Sequence, residues 1–407
     1  MTMKPIRRIA LAFTLAVLLP WPAAARAGAA LEWMSTVDEA SAKVTGLRGD
    51  RIRAIAWLAA FNALDAIDPR FRAYAPAPAV VAPGTLQPSS DAALASALVT
   101  ALASEPEADQ ALLQRKLRET LAAQKAEPER EAGAALGRQA AWMLLLARSG
   151  DRLGRVEPES REARAGEFVA PAWAKMPRSI AVTRLAPFGI RSVTAFDPGP
   201  PPALGSEAAL REIAETKSLG AVASTTRTAD QTAAALFWNS GEPGDYTALL
   251  KPALEAQKLD ALGVARAMAL DAMISVDAGI VGSSLKEKYL HWRPESAIAG
   301  PFAGEGRDAA WQSLVRAPPS PQYPSGGGVG AGTMEVALAR VFLLGPAEWR
   351  NGQTGQLRRW PDAKALGDEL AAARVWGGVH FRSAVEAGRR VGRGVATEII
   401  DTQLQPR

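Results

Sequence analysis

The stretch RIRAIAWLAAFNALDAI, residues 51–67, sets the fold class. Its apolar residues recur at helical spacing, and the run stops just ahead of Pro69. The rest of the chain reads the same way. Alanine, leucine, glutamate and arginine dominate and runs of β-branched residues are scarce, so the composition favours helix over strand. Further helices are expected over 91–103, 107–125 and 129–149, and then over 205–220, 228–238, 245–257 and 260–282. VGAGTMEVALARVFLLG (329–345) reads as a helix fed by three glycines, and 363–375 and 379–397 as the last two helices. Between the two groups lies a proline-rich, irregular segment, 151–205, ending in the polar turn AFDPGPPPALGS (195–206). The expectation is an all-α protein in three parts. These are a leader over 1–27, an N-terminal helical bundle with its irregular segment over 28–205, and a C-terminal helical bundle over 206–407.

Lys4, Arg7 and Arg8 precede the apolar run IALAFTLAVLLP (9–20), and Ala25-Arg26-Ala27 offers small residues for cleavage. This is the pattern of a secretory signal peptide, with an apolar run too short to span a bilayer. It places the mature chain in the periplasm or outside the cell, with no further membrane span. The four basic residues of 1–27 also carry most of the net charge, which falls from +5 to +1 without them. The basic balance is therefore no sign of a nucleic-acid partner. With no cysteine there is neither a disulfide nor thiolate chemistry, and stability must come from a hydrophobic core.

Three stretches carry charge and catalytic residue types. In KEKYLHWRP (286–294), Lys286 and Arg293 are seven apart, two helical turns, so one helix face can hold both; Pro294 ends or bends that helix. In YPSGGGVGAG (323–332), Ser325 and Gly326 open a helix whose first N–H groups and dipole attract an anion. In ARVWGGVHFRSA (373–384), Arg374 and His380 flank Gly377-Gly378. Two arginines, a lysine, a hydroxyl and helix N–H groups are what a tetrahedral oxyanion needs, and a histidine can attack or coordinate its central atom. Read singly, each is ordinary: a solvated face, a helix-start loop, a buried histidine.

Together the motifs resemble the superfamily of type 2 phosphatidic acid phosphatases, bacterial acid phosphatases and vanadium-dependent haloperoxidases. K-x6-R-P is present at 286–294, Pro324-Ser325-Gly326 begins the second motif, and Arg374 and His380 keep the spacing of the third. The flanks AAFNALDAIDPRFRAY (59–74), APFGIRSVTAFDPGPPPALGS (186–206), RTADQTAAALFWNSGEP (227–243), DAGI (277–280) and GGVHFRSAVEAGRRVG (377–392) are similar to the bacterial haloperoxidase-like branch. The resemblance covers nearly the whole mature chain. It implies two helical bundles with the anion site in the second. Lys286, Arg293 and Arg374 would hold the oxygens of vanadate or phosphate, aided by Ser325 and the Gly326 N–H. His380 would be the vanadium ligand or the phosphoryl-accepting nucleophile. Vanadate is the implied cofactor in the first case and none in the second, with a halide or a phosphoester as substrate.

The departures are equally specific. The histidine that ends the second motif is Gly327 here, so its general-acid assistance, worth about 10²–10⁴-fold, is absent. The aspartate four residues after the reactive histidine is Ala384, the serine before the arginine is Ala373, and Ser283 stands where the branch often has tryptophan. His291, the one other histidine, is the candidate to supply the missing acid. Two readings stay open. One is an enzyme, a haloperoxidase or phosphomonoesterase with weakened or altered catalysis. The other is an inactive oxyanion- or ligand-binding homologue. Trp292 and Trp376 are expected in the core beside the site, and Arg227 is expected to pair with Asp230 or cap a helix.

Overall fold

The structure, a computed structural model, describes residues 27–76, 86–124, 126–151, 164–170, 185–239 and 246–407. The leader expected over 1–27 lies outside them except for Ala27. Among the described residues there are thirteen α-helices and a single two-stranded antiparallel sheet. The N-terminal bundle holds α1 (Gly28–Ser41), α2 (Gly46–Ile67), α3 (Ser90–Leu102), α4 (Gln110–Ala122) and α5 (Glu127–Ala147). The stretch RIRAIAWLAAFNALDAI is the body of α2, buried almost throughout, and it ends at Ile67 as Pro69 requires. After the irregular segment come α6 (Glu207–Gly220), α7 (Ala229–Asn239), α8 (Tyr246–Ala256) and α9 (Ala261–Tyr289). The chain closes with α10 (Pro294–Ala299), α11 (Gly326–Arg340), the hairpin β1 (Ala347–Arg350) and β2 (Leu357–Trp360), α12 (Ala363–Trp376) and α13 (Arg382–Thr402).

One hydrophobic cluster runs from α1–α3 through α9 to α11–α13, so α9 is a spine that both groups of helices share. The sequence reading missed α1 and the hairpin. Trp349 and Trp360 of the hairpin pack edge-on against Phe237 and tilted or edge-on against Trp238 of α7, which holds this short sheet on the bundle.

Three features position the site. First, α11 and α13 approach through glycines four apart on each helix. A Cβ on Gly328 or Gly332 would stand 2.5 or 2.3 Å from the Val385 or Arg389 carbonyl oxygen, and one on Gly388 or Gly392 would stand 2.4 or 2.1 Å from those of Ser325 or Val329. The backbones touch, and the Ser325 N–H donates to the Ala384 carbonyl at 2.9 Å. Second, the Asp277 carboxylate on α9 is fully buried and accepts the N–H groups of Phe188, Gly189 and Ile190 at 2.7, 2.7 and 3.0 Å. Burial pushes its pKa up against the pull of those three bonds. Third, the stretch AFDPGPPPALGS is no free linker. Asp197 accepts from Lys288 and from the Tyr289 hydroxyl at the end of α9, and Tyr323 Oη donates to the Gly199 carbonyl at 2.8 Å.

Candidate functional site

The expected helical face joining Lys286 to Arg293 is not formed. Helix α9 stops at Tyr289, with Leu290 in the left-handed conformation at φ 46°. Pro294 starts α10 rather than ending its predecessor, because its fixed φ and missing N–H suit the first helical position. Lys286 thus projects from the last turn of α9, and Arg293 from the turn between two helices. Both still reach the same place.

Arg293 is 4 % exposed and spends its guanidinium on neutral acceptors. Nε donates to the Ser320 carbonyl at 2.8 Å, Nη2 to Ser320 Oγ at 3.1 Å, and Nη1 to the Val379 carbonyl at 2.9 Å and to His380 Nε2 at 3.1 Å. Lys286 Nζ donates to the Pro321 carbonyl. Arg374, in the last turn of α12, donates Nη1 to Asn239 Oδ1, while its buried Nε–H has no acceptor. Among the described residues no carboxylate pairs with any of the three. Their pKa values show the consequence. Burial and the neighbouring Arg374 charge lower Arg293 to about 9, and burial lowers Arg374 to about 10. Burial, then the charges of Arg293 and Arg374, drive Lys286 well below its ordinary value. Lys286 and Arg293 are thus buried cations whose charge is further opposed by neighbouring cations, and an anion placed among the three would relieve that cost.

Ser325 is fully buried and is the N-cap of α11, its Oγ accepting the Gly328 N–H at 3.1 Å. The hydroxyl proton stays available for an oxyanion. Gly326 and Gly327 are the first two residues of the helix, whose N–H groups have no intrahelical acceptor. Gly327 also carries Arg374. A Cβ there would sit 2.5 Å from Arg374 Cδ and 2.6 Å from its Nε, so the arginine side chain lies across the bare glycine backbone.

His380 is 2 % exposed. Burial, then the charges of Arg293, Lys286 and Arg374, hold its pKa well below the ordinary histidine value. A guanidinium only donates, so Nε2 accepts from Arg293 and the ring proton sits on Nδ1. The chain reaches this point through two close crossings. Gly378 has φ 76°, and a Cβ on it would stand 2.5 Å from the Gly220 carbonyl oxygen, so this position needs glycine on both counts. Glu212 of α6 then accepts the Ser383 N–H and Oγ–H at 2.5 and 2.8 Å, capping α13 from outside. Ala384 packs with Tyr323 and Ala387 in a small apolar cluster, with no carboxylate to orient the ring.

His291 does not touch Lys286, Arg293 or Arg374 through any hydrogen bond. It is buried, its Nδ1 meets Gln322 Nε2 at 2.6 Å, and burial lowers its pKa to about 4, so it is neutral at ordinary pH. Trp292 joins a second apolar cluster with Trp311 and Phe381, as expected of it. Arg227 donates to the Leu219, Ala221 and Trp376 carbonyls and to Thr232, while Asp230 pairs instead with Arg358 on the hairpin. The sequence reading gave no role to Asn239 or Gln322. Asn239 falls within the flank RTADQTAAALFWNSGEP, but nothing in the spacing of either residue marks it.

Residues 266–406 match the model of the VCPO second helical-bundle domain. No curated protein matches the chain in sequence. Among solved structures it is similar to the crystal structure described as the first bacterial vanadium-dependent iodoperoxidase, at 20% identity and a TM-score of 0.77, covering 95% of this chain and 98% of that one. It is also similar to a bacterial vanadium-dependent chloroperoxidase. The apo form gives 16% identity and TM-score 0.68 over 86% and 92% of the two chains, and the holo form 16% and 0.67 over 88% and 93%. The chain therefore has the all-α fold of the bacterial vanadium haloperoxidases, and residues 266–406 are similar to the second helical-bundle domain of that fold.

Proposed function

We propose that the protein is a vanadium haloperoxidase-like oxyanion-binding enzyme, exported by its N-terminal leader. Lys286, Arg293 and Arg374 would hold the charged oxygens of a tetrahedral oxyanion, vanadate or phosphate, and Ser325 Oγ and the Gly326 N–H would donate to it. His380 Nε2, which accepts from Arg293, would turn its lone pair to the anion once Arg293 donates to the anion instead. The observation that carries this reading is the set of three converging cations whose partners among the described residues are carbonyls, an amide, a hydroxyl and an imidazole, and no carboxylate. The residues fit vanadate: a cationic cradle, helix-start N–H groups and a neutral imidazole nitrogen suit an anionic metal oxide that takes a nitrogen ligand. Bound vanadate would supply a Lewis-acid centre for peroxide-driven halide oxidation. Bound phosphoester would instead meet His380 as a nucleophile.

Proton handling is the altered part. Gly327 brings no acid to the anion, and His291 is one amide away from His380. Catalysis of either kind is accordingly expected to be slow for this fold, by about 10²–10⁴-fold where a general acid matters. Calorimetric titration of the purified protein with vanadate tests the reading, with Arg374→Ala as control. Binding that the control loses supports it. A protein that binds neither vanadate nor phosphate refutes it.

A further inference from the structure

Gln322 is 0 % exposed and lies between the two histidines. Its Oε1 is 3.3 Å from His380 Nδ1 and accepts the Phe381 N–H at 3.4 Å, and its Nε2 is 2.6 Å from His291 Nδ1. The backbone ties the same pair, since the Gln322 N–H donates to the His291 carbonyl at 3.0 Å. The orientation of the amide is determined by its neighbours. The Phe381 N–H only donates, so the atom facing it and His380 is the oxygen, and the NH₂ group faces His291. Every polarity then follows in one direction. Arg293 donates to His380 Nε2, His380 Nδ1–H donates to Gln322, and Gln322 donates to His291 Nδ1, whose proton is therefore on Nε2. Reversing any ring or the amide sets two donors face to face at some link.

We propose that Gln322 and His291 form a neutral clamp that positions His380, fixing its ring and its Nδ1–H tautomer in place of the carboxylate that Ala384 cannot supply. Gln322 orients His380 directly, and His291 orients Gln322. Both are positioning residues. The amide does not pass a proton along this chain, because that would require its imidic-acid form. His291 is thereby a brace for the site and not its acid. A neutral brace also leaves the positive charge of Lys286, Arg293 and Arg374 undiminished, where a carboxylate would offset part of it. The inference rests on the reading that His380 faces the oxyanion, but its test does not need the anion.

The chain holds two histidines, so ¹⁵N-histidine labelling of the protein, purified without a histidine tag, gives two ring systems to read. The expected spectrum shows His380 with its proton on Nδ1 and His291 with its proton on Nε2, the His380 proton slow to exchange. Gln322→Met removes the acceptor. The His380 Nδ1–H signal then loses its downfield position and its exchange protection, and vanadate affinity falls about 10–100-fold. Gln322→Glu keeps an acceptor for His380 and replaces the donor facing His291 by an acceptor, so the His380 signal survives while a proton of His291 moves to Nδ1. A wild-type His380 protonated on Nε2, or a signal that Gln322→Met leaves unmoved, overturns the clamp. The wild-type spectrum decides alone if the variants do not fold. The expected tautomers in a protein that binds neither vanadate nor phosphate would sink the oxyanion reading and leave the clamp standing.

Discussion

Replacing Gly327 by alanine puts the seat of Arg374 to a direct test. In an ordinary helix this change is stabilising by about 0.5–1 kcal/mol, because glycine loses more conformational freedom on folding. Here the new methyl would stand 2.5 Å from Arg374 Cδ, 2.6 Å from Nε and 3.0 Å from Cγ, closer than carbon atoms approach. The clash falls on the middle of the side chain, whose far end is held by Asn239, so the arginine must swing away and give up that bond. A hydrogen bond to a charged group contributes about 1.5–3 kcal/mol. The balance is a net destabilisation of about 0.5–2.5 kcal/mol, opposite in sign to the ordinary helix effect. Urea unfolding reads it as a lower midpoint at unchanged slope. The double-mutant cycle with Asn239→Ala should shrink the penalty, since the bond to be lost is already gone. A Gly327→Ala protein as stable as the original or more so, with vanadate binding intact, would refute the argument. Gly327→His faces the same collision, so simple restoration of the motif should not restore catalysis unless Arg374 finds another path.

Other changes have equally definite outcomes. Asp277→Asn removes the carboxylate that gathers three backbone N–H groups, and thermal or urea unfolding should show a loss of about 2–3 kcal/mol, in the range of hydrogen bonds to charged groups. Gly378→Ala meets both a positive φ and the Gly220 carbonyl; the expected result is a destabilised protein with vanadate binding lost, seen by calorimetry beside the unfolding curve. Asp271, on α9, has its pKa raised from 3.8 to about 7 by burial and then by the charge of Asp38. The folded state keeps this proton to higher pH than the unfolded chain. Its stabilising contribution is therefore complete below about pH 4 and is lost as pH rises towards 7. Unfolding midpoints measured across that window should fall with pH in the original protein and flatten in Asp271→Asn.

The helices were legible because each rests on local information: apolar spacing, a stopping proline, a glycine run. The exceptions show what local information omits. Helix α9 continues to Tyr289 and α11 begins at Gly326, where glycines would suggest a loop. Gly328 and Gly332 are there for contact with α13, a neighbour more than fifty residues on in sequence, Gly327 makes room for Arg374, and Ser325 caps the helix they open. The hairpin escaped notice because its strands are four residues each and depend on Trp349 and Trp360 packing on α7. The cations of the site were legible as residue types at a family spacing. Their convergence owes nothing to a shared helix face, since Arg293 lies beyond the end of α9.

Asn239 and Gln322 were invisible for a further reason. Each acts on a residue more than fifty positions away, and an amide in a loop or at a helix end has no pattern of its own. Yet they change how the two missing residues are understood. Read from the motifs, Gly327 and Ala384 are losses. In the fold, Gly327 is the surface on which Arg374 lies, with Asn239 holding the far end of that arginine. Ala384 fills a dry contact with Tyr323, and its carbonyl fixes Ser325. The orienting contact it lacks comes instead from Gln322, three residues before that serine. A site that had merely decayed would keep its cations only by accident and would leave the gaps unfilled. Here Arg374 itself fills the space beside Gly327, with Asn239 holding its far end, and Gln322 meets His380 where Ala384 offers no contact. That arrangement fits an anion site kept in working order on different proton chemistry.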